Sequence, residues 1–232
     1  MGGNPFITAF QLITDLDEAL MGIIGLSLRV SLSATIIAAV LALPLGAAIA
    51  LYRFRGRGVV VGSLNALMGL PPVVAGLMIY LLLSRAGPLG SFGLLFTPTA
   101  MVIVQTLLVF PIIAAMARQV VEDLWDVYRE QLQSMGSGRL RAIPTLLWDG
   151  RFSLSTGVLA GFGRASAEVG AVLIVGGNID GVTRVMTTAI AFETSRGNLS
   201  LALALGIVLM ALGLLINVAI YLIGEQARRR LG

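Results

Sequence analysis

Apolar residues gather in five long blocks along the chain, roughly 28–52, 59–83, 99–117, 154–175 and 199–223. Each is close to the roughly 20 mainly apolar residues that one membrane-spanning helix needs. The pattern therefore predicts an all-α, polytopic membrane protein of about five spans. Pro44, Pro71, Pro72 and Pro111 fall inside or beside these blocks. Such breaks survive in lipid when neighbouring helices satisfy the freed backbone groups. Gly157 and Gly161 stand four apart, a spacing that lets two helices approach closely. Ahead of the first block, Phe6, Phe10, Ile13, Leu16 and Leu20 recur at spacings of three and four. This reads as an amphipathic helix on the membrane surface or against the first span, with a frayed terminus as the alternative. Asp15, Asp17 and Glu18 interrupt it and no basic residue precedes it, so it is not read as a signal peptide.

One long polar island interrupts the apolar pattern, at 118–151. It holds Arg118, Glu122, Asp123, Asp126, Arg129, Glu130, Arg139, Arg141, Asp149 and Arg151 around a glycine-rich break, Ser134-Met135-Gly136-Ser137-Gly138. A plain connector needs no such length. Two helical stretches meeting at a glycine turn would form a docking surface for a second protein. A solvated hairpin without a partner is the alternative. It would leave Met135, Leu140, Ile143, Leu146, Leu147 and Trp148 exposing much apolar surface.

Composition agrees with lipid as the main solvent. The chain is 57% hydrophobic and 12% charged, about half the charged fraction of ordinary soluble domains. Its mean hydropathy is +0.93. Cysteine and histidine are absent, which excludes a disulfide framework, thiolate metal sites and the commonest proton shuttle. All 16 basic residues are arginine. The sequence pI near 10.3 reflects arginines placed between apolar blocks, an orientation signal rather than a nucleic-acid surface. Arg53, Arg55 and Arg57 follow the first block, five arginines lie in the island, and Arg228, Arg229 and Arg230 follow the last block; the opposite loops carry Arg85, Arg184 and Arg196. Positive-inside bias then puts the island and the C-terminus in the cytoplasm and the N-terminus outside, an arrangement that five spans permit.

No catalytic constellation is visible. Without lysine there is no Walker A loop, so any ATP hydrolysis would belong to another subunit. No cofactor or metal site is expected.

From Glu130 the island reads EQLQSMGSGRLRAIP. It resembles the cytoplasmic EAA loop of ABC importer permeases, in which a Gly stands six positions after the Glu; Glu130 and Gly136 fit. Gln131 and Leu132 depart from the usual two alanines, Trp148-Asp149 stands where Leu-Pro is usual, and a proline lies at Pro144 instead. The segment Leu70-Pro71-Pro72-Val73-Val74-Ala75-Gly76 resembles the LPPVVxG segment of molybdate-type permeases, and residues 161–171, GFGRASAEVGA, are similar to their fourth-span motif. Residues 175–179, VGGNI, then 183–190, TRVMTTAI, look most like the tungstate branch, continued by 193–197, ETSRG. The likeness covers most of 26–225.

This resemblance implies one transmembrane domain over 1–232, working as a homodimer in the plasma (inner) membrane of a prokaryote. It implies import of tungstate or a close oxyanion such as molybdate. A cassette ATPase dimer would dock on the EAA loops, and an external substrate-binding protein would deliver the anion. Coupling contacts would fall at Glu130, Met135, Gly136, Ser137, Gly138 and Arg139. Arg164 and Glu168, the two charges inside the fourth block, are either a structural ion pair or a polar face on the pathway. In the external segment 176–198, Gly176, Gly177 and Asn178 could form a backbone anion nest. Arg184, Thr187, Thr188, Thr194 and Ser195 would add donors; a connector that docks the binding protein is the alternative. A secondary transporter or channel for a small anion is the rival class. Five spans do not divide into equal inverted repeats, and no histidine relay exists. A membrane enzyme is a second rival, without a visible catalytic set.

Overall fold

The computed structural model describes residues 5–231, and side chains over 6–225. Among the described residues there are ten α-helices, one short 3-10 turn and no strand. The helices are α1 (Pro5–Thr14), α2 (Glu18–Leu51), α3 (Arg57–Met68), α4 (Pro72–Leu83) and α5 (Pro98–Ser134). Then come α6 (Arg139–Asp149), α7 (Arg151–Ser166), α8 (Gly170–Gly176), α9 (Met186–Ser195) and α10 (Leu199–Leu231). Arg228, Arg229 and Arg230, part of the arginine bias, lie beyond the described side chains.

Three helices, α2, α5 and α10, are long and apolar enough to cross a membrane. At 34, 37 and 33 residues each is roughly 50 Å long, more than the roughly 30 Å hydrocarbon core requires. Pro44 and Pro111 sit inside α2 and α5 without ending them. The second and fourth expected spans are broken helices. α3 and α4 bend by 103°, and α7 and α8 by 60°. The first break has a plain cause. Pro71 and Pro72 donate no N–H, and a proline pushes the residue before it out of the helical region; Pro71 is extended at φ −60°, ψ 123°. At the second break a side chain takes over. Glu168 Oε1 accepts the Ala171 N–H at 3.1 Å, and Gln105 Nε2 on α5 donates to the Ala165 carbonyl at 3.0 Å. These are the neighbouring-helix repairs that breaks in lipid require.

The chain divides into two compact units: Met1–Ala34 with Pro71–Gln105 and Arg164–Leu215, and Thr35–Leu70 with Thr106–Gly163 and Ile216–Gly232. It passes from one to the other five times. In the first unit, α1, α2, α9 and α10 share a core of Ala9, Leu20, Ile23, Met186, Ala189, Ala204 and Leu205. The N-terminal helix is therefore packed and not frayed. Its expected stripe is cut short, however: Phe6 and Phe10 face outward, and Leu20 belongs to α2, whose first turn Asp17 caps through Leu20 N at 2.9 Å. α4 lies against α8 so closely that a Cβ on Gly76 would stand 2.8 Å from Ala171 Cα.

In the second unit, α2, α5 and α6 share Ala47, Leu51, Val121, Trp125, Ala142 and Leu146. The Gly157/Gly161 face of α7 packs on α5 as its spacing suggests. A Cβ on Gly161 would come within 2.8 Å of Val109 and 3.1 Å of Ile113, and one on Gly157 within 3.2 Å of Met116.

Candidate functional site

The polar island folds as a helical hairpin within the second unit. α5 runs without a break to Ser134, and Gly136 at φ +74° turns the chain. Ser137 N–H bonds back to Leu132 O at 2.9 Å and Gly136 N–H to Gln133 O at 3.0 Å. This is the bonding of a helix closed by a left-handed glycine. α6 then returns with Ala142 and Leu146 buried against α2 and α5. Leu146, Ile143 and Leu147 therefore root the hairpin in its own core instead of being bared. Met135, Leu140 and Trp148 remain 76%, 69% and 72% exposed. A cleft of about 340 Å³ lies between the two helices, lined by Tyr128, Met135, Thr145 and Trp148 among others. Arg151 stacks over Trp148 at 4.9 Å and donates to its carbonyl at 2.7 Å. Of the expected coupling residues, Glu130, Met135, Gly136, Gly138 and Arg139 are exposed and Ser137 is half-buried. They share one tip.

A charge cluster at the root of the hairpin escaped the sequence reading. Glu122 on α5 binds both Arg118, four residues before it, and Arg57 at the start of α3. Arg57 Nε also donates to Ile49 O near the end of α2, at 2.9 Å. The Arg118–Glu122 spacing was visible in the sequence. Nothing local pairs Arg57 with a residue 65 positions away.

The fourth-block charges do meet, but not along one continuous helix. Arg164 is on α7 and Glu168 lies in the break before α8. Their side chains are 3.3 Å apart, Glu168 almost fully buried and Arg164 about 40% exposed. Glu168 also accepts Thr187 Oγ1 on its backbone carbonyl at 2.8 Å, so one residue joins α7, α8 and α9. Gln105 Oε1 and Ser166 Oγ are buried beside this break with no protein hydrogen-bond partner.

The segment 176–198, read from the sequence as an external segment, contains α9. Gly177 and Asn178 are both left-handed, at φ +71° and +51°. Around the expected nest, Gly177 N donates to Leu173 O at 2.9 Å and Ile179 N to Thr183 Oγ1 at 2.9 Å, while Asn178 Oδ1 is buried with no protein hydrogen-bond partner. Thr183 Oγ1 in turn donates to Gly176 O. Thr188 is buried, and its hydroxyl both donates to Val185 O and accepts from Val185 N. Arg184 pairs with Asp180 at 3.0 Å and Glu193 at 3.8 Å, and stacks on Phe192. Thr187 and Glu168 are thus brought together. Gly176, Gly177 and Asn178 form a separate tight turn, and Arg184 is neutralised in place. Among the described residues no group of three or more Asp or Glu could hold a metal ion.

No protein-family profile matches the chain. It is 40% identical over 221 residues to the tungstate uptake system permease protein TupB of Peptoclostridium acidaminophilum, covering 95% of this chain and 97% of that one. It is 40% identical over 203 residues to a probable anion ABC transporter permease protein of Haloferax volcanii, covering 85% and 88%. The molybdenum transport system permease protein ModB of Haemophilus influenzae is 28% identical over 175 residues, covering 72% and 76%.

Proposed function

Because this chain belongs to the family of ABC anion-transporter permeases, and is thus a membrane transporter component and not an enzyme, we propose that it is the permease of a tungstate importer. Tungstate is favoured over molybdate because the tungstate relative matches at 40% along nearly the whole chain and the molybdenum relative at 28% over less of it. Two copies line the anion pathway. A cassette ATPase dimer drives it from the cytoplasm, and an external binding protein supplies the anion.

The observation that carries the coupling half of this reading is the hairpin tip. A glycine-turned pair of helices, rooted by Ala142 and Leu146, leaves Met135, Leu140 and Trp148 bare. Apolar side chains on a polar, arginine-rich hairpin are stabilised by burial in a partner's groove. Glu130, Met135, Gly136, Ser137, Gly138 and Arg139 make that contact. For the anion, Arg164 with its partner Glu168 is the charged element of the pathway. Arg184, Thr187, Thr188 and the turn at Gly176, Gly177 and Asn178 shape the external end.

The test is uptake of labelled tungstate by cells that express the chain with a cassette ATPase and a binding protein from its own operon. Uptake should require ATP hydrolysis, and excess molybdate should compete more weakly than excess unlabelled tungstate. Uptake that survives a catalytically dead ATPase overturns the ATP-driven reading. Equal competition by the two anions overturns the tungstate assignment alone.

A further inference from the structure

Directly after α2 the chain reads Tyr52-Arg53-Phe54-Arg55, and all four residues are exposed. No acidic residue occurs between Glu18 and Glu122. Arg57 is engaged by Glu122 and Ile49, whereas among the described residues neither Arg53 nor Arg55 enters an ion pair. α3 follows, and it does not continue into α4 but turns from it by 103°. Its 12 residues span roughly 18 Å, too short to cross a bilayer alone. Leu64 is the one buried residue of α3. Val59, Val60, Leu67 and Met68 are 73%, 37%, 41% and 45% exposed.

We infer that residues 52–68 form a binding segment for anionic phospholipid. Arg53 and Arg55 hold headgroup phosphates, and the bared valines, leucine and methionine of α3 rest on the acyl chains. A phosphodiester offers only acceptors and a guanidinium only donors, in a fork that matches phosphate oxygens. Tyr52 and Phe54 alternate with the arginines at the level where aromatic rings settle, between headgroup and hydrocarbon. Charge complementarity selects anionic lipid over neutral lipid, because the two guanidinium groups have no carboxylate of their own. The apolar helix beside them selects a lipid over a soluble anion. This inference requires that the chain sit in a bilayer and is independent of its cargo.

The test is native mass spectrometry of the full chain, titrated with phosphatidylglycerol and with phosphatidylcholine. Phosphatidylglycerol should bind in preference. R53Q/R55Q should weaken it on the order of tenfold and leave phosphatidylcholine unchanged, R53K/R55K should keep most of the preference, and R85Q/R129Q should have no effect. If R53Q/R55Q inserts poorly, F54S/V59S keeps the arginines and should weaken phosphatidylglycerol as well. An unchanged preference in both variants overturns the inference. So does displacement of the lipid by millimolar inorganic phosphate, which would make this a free-anion site. Crosslinking of V59C to a second copy in the bilayer would assign the α3 face to a subunit interface. Loss of cassette ATPase binding by R53Q/R55Q with lipid retained would assign the arginines to that protein.

Discussion

At the scale of single residues, two positions make opposite demands. Gly136 is needed for its backbone: at φ +74° a β-branched residue is a steric outlier. Gly136→Val should leave the chain in the membrane, because no atom crowds its Cβ position and the hairpin root lies elsewhere. The turn itself should be lost. The expected result is normal membrane content with ATPase association and stimulation abolished; normal transport by this variant would refute docking through the tip. Glu168 is needed for its side chain. Its carboxylate holds the Ala171 N–H in the first turn of α8 and the Arg164 guanidinium together. Glu168→Ala leaves that buried N–H without a partner, at about 1–3 kcal/mol. Arg164→Ala removes a group about 40% exposed but strips the buried Glu168 carboxylate of its ion partner. Thermal unfolding in detergent should therefore place both variants below the parent chain. An unchanged melting temperature for Glu168→Ala would mean that the carboxylate does not hold the helix end. Both residues stood out in the sequence as intramembrane charges, but the capping role did not. It depends on a helix break that neither charge signals.

At the scale of elements, the sequence pattern located every apolar block and the polar hairpin, and it misjudged continuity. A hydropathy window reports composition and not direction, so α3 with α4 and α7 with α8 each read as one span. Pro71-Pro72 did mark the first break, yet Pro44 and Pro111 look equally disruptive and lie inside intact helices. The difference is doubling. One proline removes one helical hydrogen bond, whereas two in succession leave no donor at the helix start and force Pro71 itself into an extended conformation. The Gly157/Gly161 spacing was legible because close helix approach has a local signature. Arg57 with Glu122, and Gln105 with Ala165, were not, because each pair joins separate helices far apart in the chain. The α5–α7 contact gives the element-scale prediction. Gly161→Leu would drive a side chain into Val109 and Ile113, an overpacking worth about 1–3 kcal/mol. Its melting temperature in detergent should fall below that of Gly206→Leu, since a Cβ at Gly206 meets nothing within 4 Å. Equal melting temperatures would mean that α5 and α7 do not meet at this face.

At the scale of the molecule, the arginine bias proposes a topology that single-cysteine labelling can test. The chain passes between its two compact units five times, an odd number, so the N-terminal helix and the end of the chain belong to different units. The α5–α6 hairpin falls in the same unit as the chain end, and α9 in the unit that holds α1. From the arginine counts we propose that the 118–151 hairpin faces the cytoplasm and 176–198 the outside. The chain contains no cysteine, so single cysteines report on this without background. Ser134 and Ser195 are suitable sites. Both are exposed, and each hydroxyl bonds only to the carbonyl three residues earlier, so neither substitution disturbs a tertiary contact. Asn198 would be a poorer choice, because its side chain donates to buried Glu193 at 3.0 Å. An impermeant thiol reagent applied to intact cells should label Ser195→Cys and spare Ser134→Cys, and permeabilised cells should label both. Labelling of Ser134→Cys alone would invert the topology and, with it, place the hairpin out of reach of any ATPase. Labelling of both in intact cells would mean that the bent pair α7 and α8 does not carry the chain across the bilayer, leaving fewer than five crossings.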